Sequence, residues 1–391
     1  MQSRWTMLSC VGVLLVGCHD VDVIDPPGDS RADEAGGDMV AVDGGRDGAP
    51  DAPTMDGAKG KEAGPDLGKD QGVEAGLDAG KDQGKDQGVE AGAPPTIWKV
   101  LTPGGTGTYA SVAAEGPVVL VGTSKGDLLR SSNSGTAFSA VFKSTGILKE
   151  IDMDGQRAVA ISQEGDLHYS VNAGANWSTS KQSCGKGSTS IAISGATVVA
   201  GCAGQYCVSH DGGANFACIA VTVGPAKVLF MGVAAAKVGG HTVLLAAGHY
   251  NSSGSNPVVH RWDSNSKAWA DLTSTLPKAG NILHHAELLS SGLAVIGSSS
   301  GKVLYSSDGG KTWYVSGAAT STHTLAAVAA TLPTLVIAGS SQYGAYLSTN
   351  GGGYFKQITA TAVTKSGYSS AAFDGKGGVY LAGKSLVKGV P

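Results

Sequence analysis

Between Thr96 and Pro391 the residues able to carry chemistry are few: thirteen carboxylates, three arginines, four cysteines and one pair of adjacent histidines. Cleaving a glycosidic bond takes two carboxyl groups about 5–10 Å apart across that bond. Asp211 and Asp308 fall inside a recurring turn pattern, and Glu115, Asp127, Asp154, Glu164, Asp166 and Asp374 stand in hairpin-turn segments, most beside glycines. They read as solvated turn carboxylates. His284 and His285 enter a strand in NILHHAELL, where neighbours point to opposite faces, so the spacing divides them rather than pairing them on a metal. No Ser/His/Asp or Cys/His arrangement carries a supporting local signature. The residues therefore predict no catalytic group, no metal site and no cofactor.

Cys184, Cys202, Cys207 and Cys218 form an even set within 35 residues, which three disulfide pairings can satisfy. Cys207–Cys218, flanking one hairpin, with Cys184–Cys202 beside it, is the preferred pairing. The spacings lack the paired C-x-x-C of a zinc cluster, and disulfides require an oxidising compartment. At the N-terminus, Arg4 precedes an apolar run from Met7 to Val16 that is too short to span a membrane, as in a cleaved signal peptide. Leu15-Val16-Gly17-Cys18 resembles the bacterial lipobox. That resemblance implies removal of residues 1–17, a diacylglyceryl group on the Cys18 thiol, and anchoring in the cell envelope; the outer membrane or cell surface is favoured, and His19 and Asp20 after the cysteine leave inner versus outer membrane open.

Residues 18–95 hold almost no large apolar side chain and no Trp, Phe or Tyr, and GKDQGVEAG occurs at both 68–76 and 84–92. Such a segment cannot bury a core and reads as a disordered Gly/Asp/Ala/Lys-rich linker. Of the chain's 32 acidic and 28 basic residues, 19 and 7 lie between His19 and Pro95 and Arg4 lies in the leader, leaving 13 and 20 for the remainder. The linker is thus net −12 and the rest net +7. As a flexible coil its ends would stand about 50 Å apart, further with self-repulsion. The lysines beyond it are scattered, which argues against nucleic acid as a partner.

In the remaining stretch, 96–391, one pattern recurs: Ser-x-(Asp/Asn)-x-Gly-x-x-aromatic. It appears at Ser131, Asn133, Gly135 and Phe138; at Ser170, Asn172, Gly174 and Trp177; and at Ser209, Asp211, Gly213 and Phe216. It returns at Ser306, Asp308, Gly310 and Trp313, and at Ser348, Asn350, Gly352 and Phe355. The acidic or amide side chain is expected to accept backbone N–H groups two residues on, while glycine supplies positive φ. Taking Trp98 and Trp269 with the five, the aromatics step by 40, 39, 39, 53, 44 and 42 residues. Each period holds about four short strands, which predicts an all-β, seven-bladed β-propeller. TIWKVLT, around Trp98, supplies the strand that the last blade lacks, so the N-terminal strand closes the ring. The pattern resembles the Asp-box, or BNR repeat, of sialidase-like propellers.

The sialidases of that family hold the substrate carboxylate with three arginines in particular motifs. Arg130, Arg157 and Arg261 are the only arginines available, and Arg130 and Arg261 lie at the hairpins on the wrong side of the disc. The expected function is a non-enzymatic, monomeric binding module recognising a polysaccharide or a protein. A divergent sialidase-like glycoside hydrolase and an assembly or scaffold factor are the alternatives. The ligand face is placed on the loops joining second and third strands, with Lys125, Glu164, Gln205, Tyr206, His249, Tyr250, Asn251, Gln342 and Tyr343.

Overall fold

The computed structural model describes residues 93–391 apart from 188–189, 224–225, 251–255, 279–281, 317–322, 332–335, 343 and 365. The leader, Cys18, most of the linker, Asn251 and Tyr343 thus lie outside the described residues. Apolar strands pair into seven antiparallel sheets; six follow chain order from an inner to an outer strand, and the seventh takes its outer strand from the start of the described chain. The fold is a seven-bladed β-propeller, as the spacing of the aromatics predicts. Blade 1 opens with inner strand Tyr109–Glu115, blade 2 with Leu148–Asp154, blade 3 with Ser190–Ser194 and blade 4 with Ala226–Val238. Blades 5, 6 and 7 open with Leu283–Leu288, Leu325–Ala330 and Tyr368–Phe373.

Ring closure falls to Ile97–Leu101, which pairs antiparallel with Leu386–Val390 as the outer strand of blade 7. Trp98 lies opposite Gly389, where a Cβ would meet the indole ring at 2.8 Å, so only glycine admits that ring. Seven apolar clusters then fill the seven spaces between neighbouring blades. The one joining blades 7 and 1 packs Tyr380, Ala382 and Leu386 against Val112, Val119 and Leu129. Both faces of every middle strand are covered, which explains runs such as VVLVG and VIAGS without polar alternation.

The five repeated turns share one hydrogen-bond scheme, and it differs from the expected one. Ser131 Oγ donates to Asn133 Oδ1 at 2.8 Å and accepts from the N–H groups of Asn133 and Gly135. Asn133 Oδ1 in turn accepts from Ala137 N, four residues on rather than two, at 2.9 Å. The same scheme recurs from Ser170, Ser209, Ser306 and Ser348. The serine, not the acid, makes the short-range bond. The pattern's glycine has φ between 74° and 99° in all five turns, where a side chain would be strained.

On blades 1, 4 and 7 a cation on the third strand ties the blade to the next one. Arg130 Nε donates to Ala173 O, Arg261 Nε to Gly309 O and Lys388 Nζ to Ser134 O, each at 2.8 Å and each in the next blade. Cys184–Cys202 fastens the end of blade 2 to blade 3, and Cys207–Cys218 joins directly opposed residues within blade 3. This is the preferred pairing. The sulfurs of Cys184, Cys202 and Cys207 do lie within 4.8 Å of one another, but in disulfides they offer no thiolate to a metal.

Candidate functional site

Six of the seven inner strands carry the same irregularity. Register slips between Tyr109 and Ser111, Leu148 and Glu150, Phe230 and Gly232, Leu283 and Ala286, Leu325 and Ala327, and Tyr368 and Ser370. A bulge leaves one extra residue out of the ladder and re-aims its side chain. Here the extra residues are Ala110, Lys149, Met231, one of His284 and His285, Ala326 and Ser369. All of them line one cavity of about 490 Å³ at the mouth of the central channel, on the face of the loops joining second and third strands. Tyr109, Tyr368 and Lys384 complete its wall. Lys149 has no carboxylate partner among the described residues, and burial lowers the pKa of its ammonium.

Below the mouth the channel narrows to a cavity of about 170 Å³, walled largely by the alanines of SVAAE, VAAAK, HHAEL and SSAAF. Into it project Glu150 and Asp152 from blade 2 and His285 and Glu287 from blade 5. Two-residue spacing on each strand puts both members on the channel side. Glu150 forms an ion pair with His285 across the lumen. Burial works against the imidazolium, yet the charge and hydrogen bond of Glu150 outweigh it and hold His285 up at about 9. Burial and the neighbouring Asp152 raise Glu287 to about 8, and burial raises Asp152 to about 7 against two backbone hydrogen bonds. The cluster therefore stores protons at neutral pH.

These carboxylates also have a structural task. The inner strand of blade 3 presents unpaired N–H groups to the lumen, and blade 2 caps them. Ile191 N donates to Glu150 Oε2 at 3.0 Å, Ile193 N to Asp152 Oδ2 at 2.7 Å, and Gly195 N to Asp154. Glu115 accepts from Gly155 N and Asp374 from the N–H groups of Lys376 and Gly378. Glu115 and Asp154 are interblade brackets rather than idle turn carboxylates.

The expected ligand-face residues are not gathered into one platform. Lys125 is exposed, and Glu164 pairs with Lys186 at 3.0 Å. Gln205 is half-buried and Gln342 exposed at the loops. Tyr206 is a correction: it is only 3% exposed and stacks its ring 4.0 Å from that of Trp269 in the layer between blades 3 and 4. Tyr250 packs against the same layer. Residues two apart along a strand share a face, and Val208, the next position on Tyr206's side, joins it there. Tyr250 is half-buried, and its hydroxyl accepts from Asn256 Nδ2. His284 and His285 are a second correction. The bulge breaks strand alternation at that point, and both line the mouth.

Glu150, Asp152, Glu287, Lys149 and Met231 were not singled out in the sequence. The available signal was acid-x-acid in LKEIDMD and His-x-Glu in HHAEL, polar alternation on strands that are otherwise apolar. Nothing local announces the bulges.

No protein-family model matches the chain, and no curated protein matches it. Solved structures match by fold. YCF48 from Cyanidioschyzon merolae is 13% identical with a TM-score of 0.56, over 76% of this chain and 99% of that one. A structure of YCF48 bound to D1 peptide is 14% identical with the same TM-score, over 76% and 100%. The RRP9 WD40 repeats are 12% identical with a TM-score of 0.60, over 76% and 99%. At these identities the likeness shows a propeller and nothing finer.

Proposed function

We propose that this protein is a non-enzymatic binding module of the cell envelope that takes a protein partner on the channel-mouth face. In this reading the five turns are Asp-boxes, lipid on Cys18 anchors the chain, and residues 18–95 let the propeller reach away from the membrane. One observation carries the reading: bulges in six blades converge one residue each on a single cavity of about 490 Å³. A wall of small, aromatic and basic side chains around an unneutralised Lys149 suits a protruding peptide segment with an acidic group. A propeller of similar fold is known with a peptide bound. The test is binding of the full chain to peptide and glycan arrays. Peptide binding that Lys149→Glu abolishes and Lys311→Glu, on the turn face, leaves intact supports the proposal; glycan binding alone, or equal loss in both variants, contradicts it.

A hydrolytic reading has one observation in its favour, since acids from two separate blades face one lumen and Glu287 is held protonated as a general acid must be. Against it, Glu150 and Asp152 are bound to the backbone of blade 3. Release of reducing ends from an array glycan, lost in Glu287→Gln, would establish it.

A further inference from the structure

Four buried side-chain polar atoms among the described residues lack any hydrogen-bond partner, and three are imidazole nitrogens on the neighbouring blades 4 and 5: His249 Nδ1, His284 Nε2 and His285 Nδ1. A buried polar atom without a partner costs about 1–3 kcal/mol, so three together call for a ligand. His285 is already engaged by Glu150 through its other nitrogen. Among the described residues no hydrogen bond is made by His249 Nδ1 or His284 Nε2.

Both histidines sit at the junction of blades 4 and 5. Val243, Leu245 and Ala247 of the second strand of blade 4 point into the apolar layer shared with Leu283 and Ala286 of blade 5. His249 continues that alternation at the end of the same strand, so its ring is directed towards blade 5. On blade 5 the bulge after Leu283 turns His284 into the mouth cavity. The rings are near enough for their charges to interact: burial first, and the positive charge of His249 second, lower His284 to about 4. Burial lowers His249 as well. Neutral imidazoles are the form a metal ion takes up.

We propose that His249 and His284 bind a first-row transition-metal ion of the Zn²⁺ class at the blade 4–5 edge of the channel mouth. Imidazole nitrogen suits zinc, copper and nickel over magnesium or calcium, which require oxygen ligands. No third ligand atom among the described residues stands with these two as a ready set, so the remaining coordination positions open into the mouth. They are available to water or to a donor atom on whatever enters. The site goes beyond the partner-binding reading and does not depend on it.

The test is isothermal titration of Zn²⁺ alone into the tag-free full chain with its disulfides intact, with Co²⁺ absorption as a second readout of coordination. The proposal expects one saturable equivalent, an affinity reduced at least tenfold in His249→Gln and in His284→Gln, and no change in His241→Gln on the opposite face. Independently of how the variants fold, saturating Zn²⁺ should protect His249 and His284 of the unmodified sequence from diethyl pyrocarbonate, read by mass spectrometry. Absence of saturable binding, unchanged affinity in folded variants, or labelling of both histidines undiminished by Zn²⁺ would overturn it.

Discussion

Ser134 and Ala173 hold left-handed backbone, φ 56° and 52°, at a position that three of the five turns give to glycine, namely Gly212, Gly309 and Gly351. Left-handed φ costs a residue with a Cβ about 1–2 kcal/mol, and replacing it with glycine returns about 0.5–1 kcal/mol of that as unfolded-state entropy. Ala173→Gly should therefore raise unfolding free energy by roughly 0.5–1 kcal/mol in denaturant titration. The carbonyls of Ser134, Ala173 and Gly309 are also the acceptors for Lys388, Arg130 and Arg261, so this residue links the turn to the preceding blade. That these turns form was legible because their partners lie within four positions along the chain, while the roles of serine and acid within them were not. The arginine straps were not, since their acceptors lie 43 and 48 residues away.

At the scale of the element, the inner strands decide both stability and site. Strand-forming runs such as LKEIDMD could be read as strands, but the bulge that turns Lys149 into the mouth depends on how Leu148–Asp154 pairs with Arg157–Ser162, a register no local residue announces. Stability should carry the mark of the buried acids on these strands. Asp152 and Glu287 bind protons more tightly folded than unfolded, with folded values near 7 and 8. Their stabilisation is complete below about pH 4, where both states are protonated, and is lost as pH rises through 7 and 8. His168, which burial lowers to about 4, acts oppositely, its contribution fading as pH falls from the ordinary histidine range through 4. Above pH 6.5 only the fall remains, so the melting temperature should drop between pH 6.5 and 8.5 in calorimetry. Glu287→Gln should flatten that drop; a steeper one would contradict the assignment. The two disulfides close loops of 18 and 11 residues, and Cys207→Ser with Cys218→Ser should cost roughly 2–4 kcal/mol in denaturant unfolding.

Across the whole molecule the ring is held by its closure. Ile97–Leu101 comes from the opposite end of the described chain to the strand it pairs with, and Trp98 packs into the layer between blades 6 and 7. Trp98→Ala should cost about 2–4 kcal/mol of unfolding free energy, less than a fully buried tryptophan because its ring is half-exposed. Seven aromatics recurring every 39–53 residues made this closure readable, and the channel contents were not, because a lumen exists only once seven inner strands surround it. Anchoring belongs to the same scale: Cys18→Ala should abolish incorporation of labelled palmitate, and unchanged labelling would remove lipidation from the account.

The central claim is that partners enter at the bulge-lined mouth. A photo-crosslinking residue placed at Ala326 in the mouth, or at Ser307 on the turn face, tests it directly in intact cells. The account predicts a discrete protein adduct from Ala326 that Lys149→Glu suppresses, and none from Ser307. An adduct from Ser307 alone would contradict it.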